Sequence, residues 1–441
     1  MLLELAFQRH TSCLREDERH PKRTGIITFG CTNRKRGRTM NPADIAFIII
    51  CTGLVMLMTP GLALFYGGLV RSRNVLSTTM HSFITMGIVP VLWFVVGYSL
   101  AFGPDLGGII GGFSHVLLRG VDMEGAGAAS GIPPLLFMLF QCMFAVLTLA
   151  LISGSYAERI HFPAMLLFSI LWLLFVYCPM AHWVWGGGWM AKMGAVDFAG
   201  GAVVHMASAA GGLAAARTLG PRLGLGRKSF APHNLPLTLL GGGILWFGWF
   251  GFNAGSALAA NHLAVHAMVT TQMAAAAGVL GWLLVEWKHV GKPTSLGAAS
   301  GALAGLVAIT PAAGFVDIWA SLVIGLVGGI VCYVGVLCKN RLGYDDALDV
   351  VGIHGVGGTW GALATGIFAV SSVNGVDGLL YGNPGQLWVQ FVSVVGTWGF
   401  VYVASLIILR VVDTLVGLRV APDPEIAGLD MNEHNERAYQ I

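Results

Sequence analysis

Charge is what this sequence has least of. Asp, Glu, Lys and Arg make up 11% of the 441 residues, against about 25% in an ordinary soluble domain. A disordered chain needs far more charge than this. The net charge of +3 leaves no basic surface large enough for nucleic acid. The seven cysteines fall into no metal-knot or disulfide spacing and read as reduced core residues. No phosphate-binding loop, zinc-protease motif or nucleophile elbow is present, and the glycines at 220–226 follow no strand. The sequence therefore points to no enzyme, no cofactor and no metal site. Residues 1–39 also lack a signal-peptide core, since their best apolar piece, Leu2 to Phe7, is broken by Glu4.

What is abundant is apolar residues, at 55%, and glycine, at 62 positions. From Asp44 onward, apolar runs of spanning length repeat between short polar breaks. About 20 apolar residues cross a bilayer. Eleven such runs are expected, at 45–69, 77–101, 134–156, 162–184, 197–219, 235–255, 262–286, 294–313, 315–338, 350–371 and 386–412. The predicted class is an all-α polytopic membrane protein.

Placing the first span with its start outside puts 14 Lys/Arg in inside loops and the tail, against Arg119 and Lys192 outside. Positive charge collects on the cytoplasmic side. The expected orientation is N-terminus out and C-terminus in, in a cell inner membrane. Residues 1–39 carry nine Lys/Arg and four acids, which opposes this bias. They are read as a polar leader, disordered or preceding a true start at Met40. The membrane domain is then 40–416 and the cytoplasmic tail 417–441.

Two spans resemble each other. The fifth reads Asp197 to His205 followed by small residues, and the tenth reads Asp349 to His354 followed by glycine and alanine. Five spans per unit is odd, so the second unit starts on the opposite side from the first. That is the arithmetic of an inverted five-helix repeat plus an eleventh helix, with a site near the midplane. Ionisable groups inside a bilayer usually face a cavity or a partner. Two histidines at matching positions suggest a neutral pair sharing one proton, which suits a small polar solute better than a cation.

Aromatic residues recur at helical spacing. Phe140 and Phe144 are four apart; Trp249, Phe252, Asn253 and Ser256 form one stripe; Trp185 precedes Gly186-Gly187-Gly188. Each alone reads as packing or an interfacial anchor. Together with a hydroxyl they suit an aromatic site for a small cation. Asp197 reads either as a helix N-cap or as a buried negative field that favours cations. His262 and His266 have no third ligand and read as surface, as do His81, His115, His161, His182, His233 and His289 near span ends.

These residues carry a resemblance. The segments Asp197–His205, Gly248–Ser256, Ala181–Gly188 and Asp349–Gly358 make residues 40–441 similar to the bacterial ammonium transporters of the Amt/Rh family. The resemblance implies eleven helices in a homotrimer with one pore per subunit. It implies an outer ammonium site at Trp185, Phe144 and Ser256, with Asp197 structural and recruiting. It further implies a phenyl gate at Phe144 and Phe252 and a twin-histidine pair at His205 and His354. Phe140, Trp249, Asn253 and Asp349 are secondary pore-lining candidates. Trp185 and Ser256 favour the Amt branch over a neutral-gas channel of the Rh type, and an ammonium sensor signalling to a cytosolic partner is the other alternative. A regulatory protein of the PII type is the implied partner at the cytoplasmic face. One departure is Asn435, where the family usually has glycine, which puts the turn of the tail in question.

Overall fold

The computed structural model describes residues 40–123, 131–227 and 229–440; the expected leader, 1–39, lies outside them. Helix predominates among the described residues. Among the described residues eight helices are long and apolar enough to cross a membrane, which makes this a multi-pass membrane protein. They are α1 (Pro42–Leu69), α2 (Ser72–Phe102), α3 (Pro134–Tyr156), α4 (Phe162–Met193, interrupted after Val184), α6 (Leu235–Gly255), α7 (His262–Val290), α9 (Ile318–Leu342) and α11 (Pro384–Val416). The other three expected positions hold shorter helices. The π turn Gly201–Met206 continues into Ala207–Leu219 as α5, α8 is Ser295–Ile309, and the π turn Val351–Gly355 continues into Val356–Phe368 as α10.

Polar side chains set several of the helix starts. The side-chain oxygens of Asn41, Asn234, Asn261 and Thr294 accept backbone N–H groups of Ala43, Leu237, Ala264 and Gly297 at 2.8–3.1 Å. Left-handed Gly291 and Gly343 close α7 and α9, each just after a turn bearing basic residues.

The glycine content is explained by helix contact. A Cβ on Gly248 would stand 2.8 Å from the Leu54 carbonyl, and one on Gly251 2.9 Å from the Cys51 carbonyl. Small residues let α1 and α6 approach backbone to backbone, since lipid offers no hydrophobic drive for association.

Among the described residues four π turns interrupt the helices, at Trp93–Gly97, Leu173–Tyr177, Gly201–Met206 and Val351–Gly355. Such turns frequently mark functional positions, and the last two contain His205 and His354.

The tail is docked rather than free. His161 donates its N–H to the Leu418 carbonyl at 2.9 Å, and Val420 to the Arg159 carbonyl at 3.1 Å. Two short helices follow, α12 (Pro422–Ala427) and α13 (Leu429–His434). Asp430 accepts the Ser77 N–H, and Glu433 the Phe162 N–H, each at 2.8 Å. Asn435 occupies φ 53° and ψ 38°. The turn is thus left-handed even without glycine, and asparagine is the non-glycine residue that tolerates it best.

Beneath the tail lies a buried ion cluster. Glu158 accepts from Arg71 Nε, Asn74 Nδ2 and Arg222 Nη1 at 2.7–2.8 Å, and Arg222 also grips Asp345. Burial alone would raise the Glu158 carboxyl, but Arg222 and Arg71 outweigh it and hold it below its ordinary value.

Candidate functional site

The site is built from helices α3, α5, α6 and α10 and the end of α4. A cavity of about 290 Å³ is lined by Phe137, Gln141, Phe144, Val184, Trp185, Phe198, Ser256 and Leu258. Trp185, Phe144 and Ser256 therefore share one wall system. Phe144 meets Trp185 edge-on at 5.9 Å between centroids. The Ser256 hydroxyl donates to the Phe252 carbonyl at 2.9 Å, which leaves its lone pairs for a donor.

Phe144 stacks on Phe252 at 4.3 Å and 29° and closes the cavity floor. Phe140 packs against Phe144 at 5.0 Å. Beyond this pair, His205 lies 5.9 Å from Phe252 and stacks on Trp249 at 5.3 Å. Its Nδ1 stands 3.2 Å from Nδ1 of His354, the two rings 19° from parallel. Both imidazoles are buried, and His205 Nε2 has no hydrogen-bond partner among the described residues. An Nδ1–Nδ1 bond lets one ring donate and the other accept, which leaves the Nε2 edges for a solute. On the far side, His354, Trp249, Tyr66, Leu62, Leu245 and Ile353 help line an apolar space of only about 10 Å³.

Asp197 ties these parts together. Its carboxylate accepts the N–H groups of Gly200, Gly201, Ala202 and Val203 at 2.7–3.3 Å. These are the free donors at the start of α5, and a carboxylate is well placed there. Its carbonyl accepts from Trp185 Nε1 at 3.0 Å. Gly200, at φ 109°, leaves no room for a side chain; a Cβ would stand 2.7 Å from Val204 Cγ2 and 3.3 Å from the Trp185 ring.

Asn253 and Asp349 are placed differently. Asn253 donates to Thr271 Oγ1 at 2.9 Å and is tied to α7. Asp349 pairs with Lys339. The structural counterpart of Asp197 is Asp346, which accepts the Val351 N–H at 2.7 Å and stands eight residues before His354. The repeated unit is therefore Asp197 to His205 and Asp346 to His354, three residues longer in the second copy than the expected Asp349 start.

His182 and His81 correct the expectation of surface histidines, since both are buried. His182 places Nδ1 at 2.9 Å from the Ala101 carbonyl and Nε2 at 2.9 Å from the Asp105 carboxylate. Lys192 holds the other Asp105 oxygen at 2.5 Å. The His182 carbonyl accepts from Gly186 and Gly188, so this residue fastens the turn after Trp185 to the small hairpin Asp105–Leu106 and Ile110–Gly111. The bond from His182, then Lys192, pushes the Asp105 carboxyl down to about 2. Gln141 was also missed. Its signal was a lone amide within an apolar span.

A sequence model of the Ammonium Transporter Family matches residues 46–439. The chain is 54% identical to an ammonium transporter of Bacillus subtilis over 404 residues, covering 91% of this chain and 99% of that one. It is 49% identical to ammonium transporter Amt1 of Archaeoglobus fulgidus over 400 residues, 91% and 100% of the two chains. The crystal structure of Saccharomyces cerevisiae Mep2 superposes with a TM-score of 0.82 at 37% identity, over 87% of this chain and 89% of that one. A cavity, a phenyl stack and paired imidazoles stand in line along a fold shared with these proteins over most of its length: the chain belongs to the ammonium transporter family.

Proposed function

We propose that this protein carries ammonium/ammonia across a cell inner membrane. Ammonium sheds water into the cavity, resting against the faces of Phe144 and Trp185 and the lone pairs of Ser256. Each cation–π contact contributes about 0.5–2 kcal/mol. The Asp197 carboxylate, already committed to four N–H groups, acts through its field and by fixing Trp185 rather than by touching the ion. Ammonium gives up a proton to water in the cavity above the Phe144–Phe252 stack, and the proton leaves with that water as hydronium while ammonia stays behind. Ammonia then passes the stack and moves along the His205 and His354 edges, accepting and donating hydrogen bonds.

The observation that carries this reading is the 3.2 Å Nδ1–Nδ1 contact. It makes a polar rail without a fixed charge, in a passage otherwise apolar. A neutral solute with one lone pair and three N–H groups is matched there. A cation is not, because desolvated charge in such surroundings is costly.

The same reading takes all eleven helices as spans in an inverted five-helix repeat plus one, with the N-terminus outside and the tail cytoplasmic. It takes 40–416 as the transport domain, 417–441 as a regulatory tail, and a homotrimer with a pore in each subunit. The docked tail offers a charged platform for a PII-type regulator. The charge asymmetry and the family membership support these points.

Purified protein in proteoliposomes tests the function. An ammonium pulse should produce uptake in the parent and little in Trp185→Ala. Equal uptake in empty liposomes and in those holding the parent would refute transport.

A further inference from the structure

We propose that Gln141 is a second hydrogen-bond acceptor for ammonium at the outer cavity and helps set selectivity against potassium; this rests on reading that cavity as the ammonium site. The cavity contains two polar side chains among its eight lining residues, Ser256 and Gln141. The rest offer rings or alkyl groups. Trp185 spends its N–H on the Asp197 carbonyl, so it presents only its face.

Ammonium has four N–H donors in a tetrahedron. Two ring faces and the Ser256 oxygen satisfy three of them. Gln141 follows Phe140 and precedes Phe144 by three residues on α3, which puts it on the cavity-facing side with Phe144. It is 9% exposed and lines the cavity, and its Oε1 meets no donor among the described residues.

An orphaned buried carbonyl destabilises a fold, whereas an apolar isostere would not. Retaining glutamine here is explained if a donor arrives with the substrate. The terminal torsion of glutamine is broad and soft, so the carbonyl turns to the ion at small cost. Potassium gains less, because it has no directed donors and its shell is replaced only by many oxygens at once. Gln141 therefore discriminates by geometry rather than by charge.

The test compares the concentration dependence of ammonium-driven current in proteoliposomes for the parent, Gln141→Leu, Gln141→Met, Gln141→Glu and Ser256→Ala. Gln141→Leu and Gln141→Met should raise KM about tenfold, the effect of losing one hydrogen bond to a charged ligand. Maximal current should stay near that of the parent. Their thermal midpoint without ammonium should equal or exceed the parent's, since the orphan is gone. External potassium should inhibit them more strongly than it inhibits the parent. Gln141→Glu keeps an acceptor and should retain or lower KM. Parental KM in both apolar variants, with KM raised in Ser256→Ala, overturns the role of Gln141 and leaves the outer site standing. Parental KM in Ser256→Ala as well overturns the outer site itself. If either apolar variant fails to assemble, the other carries the comparison; failure of both, with a raised KM in Gln141→Glu, marks Gln141 as structural and overturns the proposal.

Discussion

Asp346 accepts the backbone N–H of Val351 at 2.7 Å, five residues ahead, as Asp197 accepts that of Ala202 at 2.8 Å. The two halves of the protein start their histidine-bearing helices with the same device. Asp346 is fully buried and Asp349 is not, so the two aspartates separate by experiment. Asp346→Ala should lower stability by about 0.5–2 kcal/mol, the usual loss for a helix cap. Asp349→Gly should lower it less, because Asp349 sits at φ 63°, where glycine relieves strain. Thermal unfolding of the purified variants in detergent gives the comparison; equal losses would deny Asp346 the capping role.

The fold was largely legible because apolar runs and their polar breaks report spans directly. Span ends at 134, 156, 235 and 255 coincide with the helices. The pairing of His205 with His354 was legible from position alone. The cap of the tenth span was not, because Asp349 lies nearer to His354 and its pairing with Lys339 depends on how α9 ends. The eight-residue spacing was nonetheless present in both halves. His182 was misread because its partners, Ala101 and Asp105, are some 80 residues away, and no local pattern reports such contacts.

Tail docking depends on a left-handed residue at Asn435. Asn435→Gly should tighten the turn and protect the tail from protease. Asn435→Val should loosen it, since a branched residue is costly in that conformation by about 1–2 kcal/mol. Limited proteolysis of protein in detergent, followed at the C-terminus, measures the order; a Val variant as resistant as the Gly variant would contradict it.

Acid should weaken the cluster beneath the tail. Glu158 has its carboxyl depressed in the fold. Its contribution is present above the carboxyl's unfolded value and is lost as pH falls through the folded one. Glu158→Gln removes that titration and leaves Arg71 and Arg222 underpaired. The variant should be less stable than the parent at neutral pH, and the gap should narrow as the buffer is made acid. Parallel curves of thermal midpoint against pH would exclude Glu158 as the group responsible.

The hairpin brace should act on the outer site through Trp185. Asp105, pushed down to about 2, stays ionised and so remains an acceptor for Lys192 and the His182 ring. Asp105→Asn should raise KM for ammonium with little change in maximal rate, as His182 loses its charged partner and the turn after Trp185 loosens. Uptake kinetics in proteoliposomes provide the readout, and a fall in maximal rate at constant KM would point to a fault elsewhere.

On the proposed reading, His205 and His354 form a neutral rail that admits ammonia and stops cations. Replacing either histidine with aspartate puts a negative group into the same passage. The most direct measurement is the current evoked by a potassium pulse, set against that evoked by ammonium, in proteoliposomes holding the parent, His205→Asp or His354→Asp. Potassium current is expected in the aspartate variants and none in the parent. A parent that conducts potassium as readily as ammonium would contradict it and leave the two histidines with a structural role alone.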